Sequence, residues 1–202
     1  MNPKDIVECR GFPCLDVNHS AYIVPDIEIV PEKVSIVVIS EAAPSSAGDF
    51  YYAGGEASFQ QTSIQAFKAA GAKIGFFQDI LDLGIYFTTA VKCGKTGYGI
   101  KTATIRECSQ LLEKELDLFH HVKAYLLMGD VAIKAVNYIA KRGGEGRVTP
   151  AGSTYKIRGQ EYSFRGARAF PSYLHVGPSF GIEKSKQRMI AEDISAALEL
   201  IG

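Results

Sequence analysis

Nothing is in surplus in this sequence. Its 22 basic and 22 acidic residues cancel to a formal charge of zero, and 202 residues contain only four cysteines. A balanced charge excludes a protein uniformly coated for nucleic acid. No apolar run approaches the ~20 residues needed to span a bilayer. The start, MNPKDIVECRGF, carries charge throughout and lacks the apolar stretch of a secretory signal. A soluble, cytoplasmic, single-domain chain over residues 1–202 is expected. Neither GxGxxG nor GxxxxGK[ST] occurs, so no nucleotide cofactor is expected; the GKT at 94–96 lacks its upstream glycine, and the Gly54–Gly55 and Gly143–Gly144 pairs make no fingerprint. The GxSxG hydrolase elbow is missing too. The chain has no internal repeat and no low-complexity tract.

The cysteines that are present form two pairs, Cys9/Cys14 in CRGFPC and Cys93/Cys108. Two distant pairs are what four thiolates need to surround one inorganic centre. Three chemistries compete for them. Disulfides suit an oxidising compartment. Structural zinc favours tighter pairs than the second one here. An iron–sulfur cluster accepts wider spacing, from loops and helix ends. Four unconnected core thiols are also compatible, since free cysteine is often buried. Cys108 lies on an apolar helical stripe with Ile105, Leu112, Leu116 and Phe119.

Hydrophobic periodicity gives strands at 34–39, 85–91, 123–128 and 167–172, alternating with helical stretches. The most regular helix is expected to start at Thr104, and an amphipathic helix closes the chain. TYKIR–GQ–EYSF reads as a β-hairpin turning at Gly159–Gln160. This alternation predicts an α/β fold: a three-layer α/β/α sandwich around a four-stranded, mainly parallel sheet with a small hairpin. Residues 1–33 form a cysteine-bearing segment packed on it. Between Val131 and Arg188, eleven Lys/Arg face three acids, which predicts a basic surface for a polyanion.

Sites in such sheets form beyond the C-terminal strand ends. One loop there offers Glu41, then Phe50, Tyr51 and Tyr52. Another offers His175, flanked by Ser172, Tyr173 and Ser179. A carboxylate, an imidazole and an aromatic shelf can hold a flat heterocycle, orient water and stabilise a departing anion.

The order VVISEAAP, YYAGG, YFTTAVKC, REC, LLMGDVA and FPSYLHVGPS, preceded by Cys9/Cys14, resembles the iron–sulfur-cluster branch of the uracil-DNA glycosylase superfamily along nearly the whole chain. The resemblance implies a 4Fe-4S cluster on Cys9, Cys14, Cys93 and Cys108, with zinc as the alternative. It further implies Glu41 positioning water, His175 supporting the departing base, and Tyr52 or Phe50 stacking beneath it. Ala42, Thr89 and Ser172 would contact the base. Ser45, Ser46, Phe180, Lys184, Lys186 and Arg188 would meet DNA, with Phe180 as a wedge. The implied activity is hydrolysis of the N-glycosidic bond of a deaminated or damaged base by a monomer. The alternative is a nucleic-acid-binding relative that keeps the pocket without catalysis. Three departures stand out: SEAAP replaces GEAPG, Thr89 replaces the asparagine that reads the base edge, and His175 is separated from Pro178–Ser179.

Overall fold

A computed structural model describes all 202 residues except the side chains of Pro178 and Ser179. The β-branched run at Ile36–Ala43 (β2) is buried on both faces, as a central strand must be. It lies between Ile85–Lys95 (β3) and Ala124–Met128 (β4), parallel to both. Ala167–Ser172 (β6) continues the parallel set beside β4. Two short antiparallel strands extend it: Val17–Asn18 (β1) along the end of β3, and Tyr162–Phe164 (β5) along β6. The sheet is therefore six-stranded and mixed, in the order β1-β3-β2-β4-β6-β5. The four expected strands form its parallel centre.

The predicted hairpin is not formed. Thr154–Ile157 (α5) is a single helical turn, and the hairpin instead joins β5 to β6 through Arg165–Gly166. Both turn residues have positive φ, 52° and 78°, which a two-residue hairpin turn of matching twist requires. Gly159 has a positive φ of 81° as well, so it is the pairing of Tyr162–Phe164 with β6 that places the turn at Arg165–Gly166.

Alternation along β2 divides the core. Ile36 and Val38 pack under Ser58–Ala69 (α1), Phe77–Asp82 (α2) and Lys184–Leu198 (α6). Val37 and Ile39 pack under Thr102–Leu116 (α3) and Asp130–Arg142 (α4). Helix α3 begins two residues before the expected Thr104. Its first turn is capped from outside: Asp16 Oδ2 accepts the Lys101 N–H at 2.6 Å, and Thr104 Oγ1 donates to Asp16 Oδ1. The Cys14 loop is thereby fastened to the helix that carries Cys108. Further along, the Ile23 N–H donates to the Lys92 carbonyl at 2.8 Å and holds the N-terminal segment on β3. Among the described residues no helix is long and apolar enough to cross a membrane.

Candidate thiol centre and strand-end cavity

All four cysteines are free, and all four line one cavity of about 150 Å³ at the end of β3. Cys93 and Cys108 are buried, Cys9 and Cys14 half-buried. Burial, then repulsion from the other thiols, pushes Cys93 up to about 12. Burial likewise pushes Cys108 up to about 11, opposed by a hydrogen bond from the Lys92 N–H to its Sγ at 3.2 Å. Thiols held this close and this dry ionise only against a positive centre, and it is the thiolate that ligates. Among the described residues no three His, Cys, Asp or Glu side chains gather tightly enough to hold a single ion. Four cysteine sulfurs around one cavity are a donor set that suits either a zinc ion or a metal–sulfur cluster.

The cavity wall is built by local devices. Gly11 and Phe12 both have positive φ, 77° and 41°, which folds CRGFPC back on itself. Phe12 packs edge-on to Tyr22, with centroids 5.2 Å apart. The Tyr22 hydroxyl donates to the Val7 carbonyl at 3.2 Å and accepts the Cys9 N–H at 3.1 Å. His19, which sequence reasoning passed over, lines the same cavity. Its Nε2 is buried and has no hydrogen-bond partner among the described residues.

A second cavity, about 350 Å³, opens beyond the C-terminal end of β2. Glu41, Asp49, Ser45, Phe59, Lys95 and Val176 are among its lining. Glu41 pairs with Lys95 Nζ at 3.5 Å, two residues past Cys93. Its other side rests on Gly129, where a Cβ would lie 2.7 Å from Glu41 Oε1. Gly129 also has φ 103°, so the LLMGDVA turn needs glycine twice over. Ala42 lines the cavity with Ser45, and Ser46 beside them is exposed. Asp49, Phe59 and Lys95 were missed as site residues; only their placement by the fold gathers them here.

His175 does not line this cavity. Its neighbours Leu174 and Val176 do, while its imidazole is fully buried behind them. There it stacks on Tyr51 at 6.2 Å, and its Nε2 is 3.1 Å from Ser63 Oγ. Ser63 Oγ donates to the Phe59 carbonyl at 2.7 Å, so Nε2 carries the proton and Nδ1 is a bare acceptor without a partner. Burial pushes His175 down to about 3, and it is neutral at any ordinary pH.

The aromatic shelf is also interior. Phe50 is buried against Tyr51 and Tyr52. The Tyr52 hydroxyl accepts the Phe87 N–H at 2.9 Å and donates to the Phe87 carbonyl at 3.0 Å. It plugs backbone groups of β3 that no strand pairs, an edge-protection role. Thr89 is fully buried, and its hydroxyl has no partner among the described residues. Ser172 is fully buried and donates to Asp193 at 2.5 Å, fixing α6 to β6 rather than facing a ligand.

The expected nucleic-acid face is largely neutralised. Arg158 is tied to Asp193 and Glu192, Arg165 to Asp117, and Lys186 to Glu183. Arg188 lies 3.7 Å from Glu192, while Lys184 is exposed. Phe180 is buried in the core under α6, not presented as a wedge. Glu183 and Glu192 are sequence neighbours of Lys186 and Arg188, whereas the partners of Arg158 and Arg165 are brought to them only by the fold.

A scan against protein-family models finds no match for this chain, and neither does a search of curated proteins.

Proposed function

We propose that this protein is a divergent uracil-DNA-glycosylase-like enzyme that hydrolyses the N-glycosidic bond of a damaged base in DNA. One observation carries the reading: the four-thiol cavity and the Glu41 cavity occupy the same end of the parallel sheet, where the collinear motifs require both. Cys9, Cys14, Cys93 and Cys108 would hold a 4Fe-4S cluster. Such a cluster supplies four metal–thiolate bonds that staple the N-terminal segment to β3 and α3. Glu41 is the general base, held by Lys95 on one side and by Gly129 on the other. The carboxylate accepts a proton from water as the bond to the base breaks. Phe59 is the aromatic surface the cavity itself presents, in place of Tyr52. Ser45 and Ser46 stand at the rim, as a contact to the phosphate backbone requires.

A second reading, binding without catalysis, is favoured by His175, whose imidazole is sealed from the cavity. One experiment separates the two. Pure protein is incubated with a duplex carrying a single uracil, and then with other deaminated bases. Abasic product is expected, falling ~100-fold or more for Glu41→Gln, with the unfolding midpoint unchanged. Salt-sensitive binding without abasic product from any base would replace catalysis by recognition.

A further inference from the structure

The thiol cavity contains one polar atom that neither the fold nor the four cysteines account for. His19 sits on the turn His19–Ala21, directly after β1. That turn is pinned where it is. Val17 and Asn18 pair with Lys95 and Gly94 of β3, and Asn18 Oδ1 caps the turn by accepting the Ser20 N–H at 3.0 Å. Gly94 admits the close approach: a Cβ there would stand 2.8 Å from the Ala21 Cβ. Phe12 packs on the imidazole with centroids 5.1 Å apart. The ring therefore has little freedom, and it lines the cavity shared by all four thiols.

Its Nε2 is buried and has no partner among the described residues, whereas the Tyr22 hydroxyl on the same wall is saturated by two backbone bonds. Leaving a buried imidazole nitrogen unpaired costs about 1–3 kcal/mol. That cost has no structural return, since the ring's packing on Phe12 would be served as well by phenylalanine. The cavity that His19 lines is shared with four cysteine sulfurs, and sulfur accepts N–H bonds, as Cys108 Sγ already does from the Lys92 N–H.

We propose that His19 is a fifth residue of the thiol centre. It donates an N–H···S hydrogen bond from Nε2 to the sulfur framework of the group held by Cys9, Cys14, Cys93 and Cys108. It is a positioning residue rather than a ligand. Partners of this kind steady the ligand sulfurs and tune the metal they bind. The proposal rests on the cluster reading above.

The test uses anaerobically reconstituted full-length protein, with iron and sulfide content measured first. His19→Phe keeps the ring against Phe12 and removes the donor; His19→Gln restores an N–H without the ring. Iron release to a chelator is expected to be fivefold or more faster in His19→Phe and to return toward wild type in His19→Gln. The Fe–S stretching bands should shift between H2O and D2O in wild type, by less in His19→Phe. In iron-free protein His19→Phe should be no less stable than wild type, because the unpaired nitrogen is gone. Loaded His19→Phe with wild-type release and unchanged bands would overturn the proposal while leaving the cluster intact. A wild-type preparation that takes up no iron or sulfide would remove the cluster reading, and this inference with it.

Discussion

Thr88 and Thr89 are neighbours on β3 and both are fully buried, yet their hydroxyls meet opposite fates. On the α3 face, Thr88 Oγ1 donates to Glu115 Oε1 at 2.7 Å and accepts from Lys92 Nζ at 2.7 Å. Lys92 and Glu115 are an ion pair with no solvent exposure. The other ammonium bonds go to the Thr89 carbonyl and to Glu115 Oε2, and the Tyr86 hydroxyl donates to Glu115 Oε1 at 2.6 Å. On the α1 face, Thr89 Oγ1 and His175 Nδ1 are buried without partners among the described residues. One side of the strand is closed on itself. The other keeps polar atoms that folding does not use. Unpaired groups of this kind destabilise the native state, and natural structures retain them chiefly where something else supplies the partner.

The largest effect should come from the satisfied side. Lys92→Met strands Glu115 as a lone buried carboxylate and should cost about 3–5 kcal/mol, because removing one member of a buried pair leaves an uncompensated charge. Lys92→Met combined with Glu115→Leu should recover most of that loss. Urea midpoints of the two variants decide it. A single-variant cost below about 1 kcal/mol would mean that this network is no better made than its opposite.

The unsatisfied side should respond to pH instead. An unfolded histidine titrates near 6.5, whereas burial holds His175 down to about 3. Between those values the unfolded chain binds a proton that the native state does not. The stability from keeping His175 neutral is complete above about pH 7 and is lost as pH falls, by up to roughly 1.4 kcal/mol per unit. Between pH 6.5 and 4.5 this comes to about 2–3 kcal/mol. Asp193, whose carboxyl burial pushes up, slopes the other way, so the readout is the difference from His175→Gln. Parallel stability–pH profiles for the two proteins would place the imidazole in water.

The parallel centre of the sheet was legible because its strands are continuous apolar runs, and VSIVVI allows little else. The convergence of Cys9, Cys14, Cys93 and Cys108 on one cavity followed the pairing seen in the sequence. The hairpin was misplaced because Gly159 and Gly166 are equivalent as letters, and the choice was made by pairing of Tyr162–Phe164 with β6. His175 was legible as a residue but not as a position: a loop histidine reads as accessible, and only packing against Tyr51 and Ser63 buries it. Phe180, Arg158 and Ser172 failed the same way, taken by α6 for packing and pairing. His19 left no signal, since an unpartnered nitrogen exists only once a fold surrounds it.

The smallest effect is also the most direct comparison, because the two residues differ only in which face they meet. Thr88→Val deletes a hydroxyl that both Lys92 and Glu115 use, and should destabilise by about 1–3 kcal/mol. Thr89→Val deletes one that nothing in the protein uses, and should stabilise by up to about 1 kcal/mol, since an unpaired buried hydroxyl only loses its hydration. Opposite signs from adjacent, identical substitutions would be hard to attribute to β-propensity or volume, which are common to both. If Thr89→Val stabilises the free protein and also weakens binding to base-modified DNA, the orphaned hydroxyl is reserved for a ligand. If it destabilises, the hydroxyl already has a partner in solution, such as a bound water, and the asymmetry between the two faces disappears.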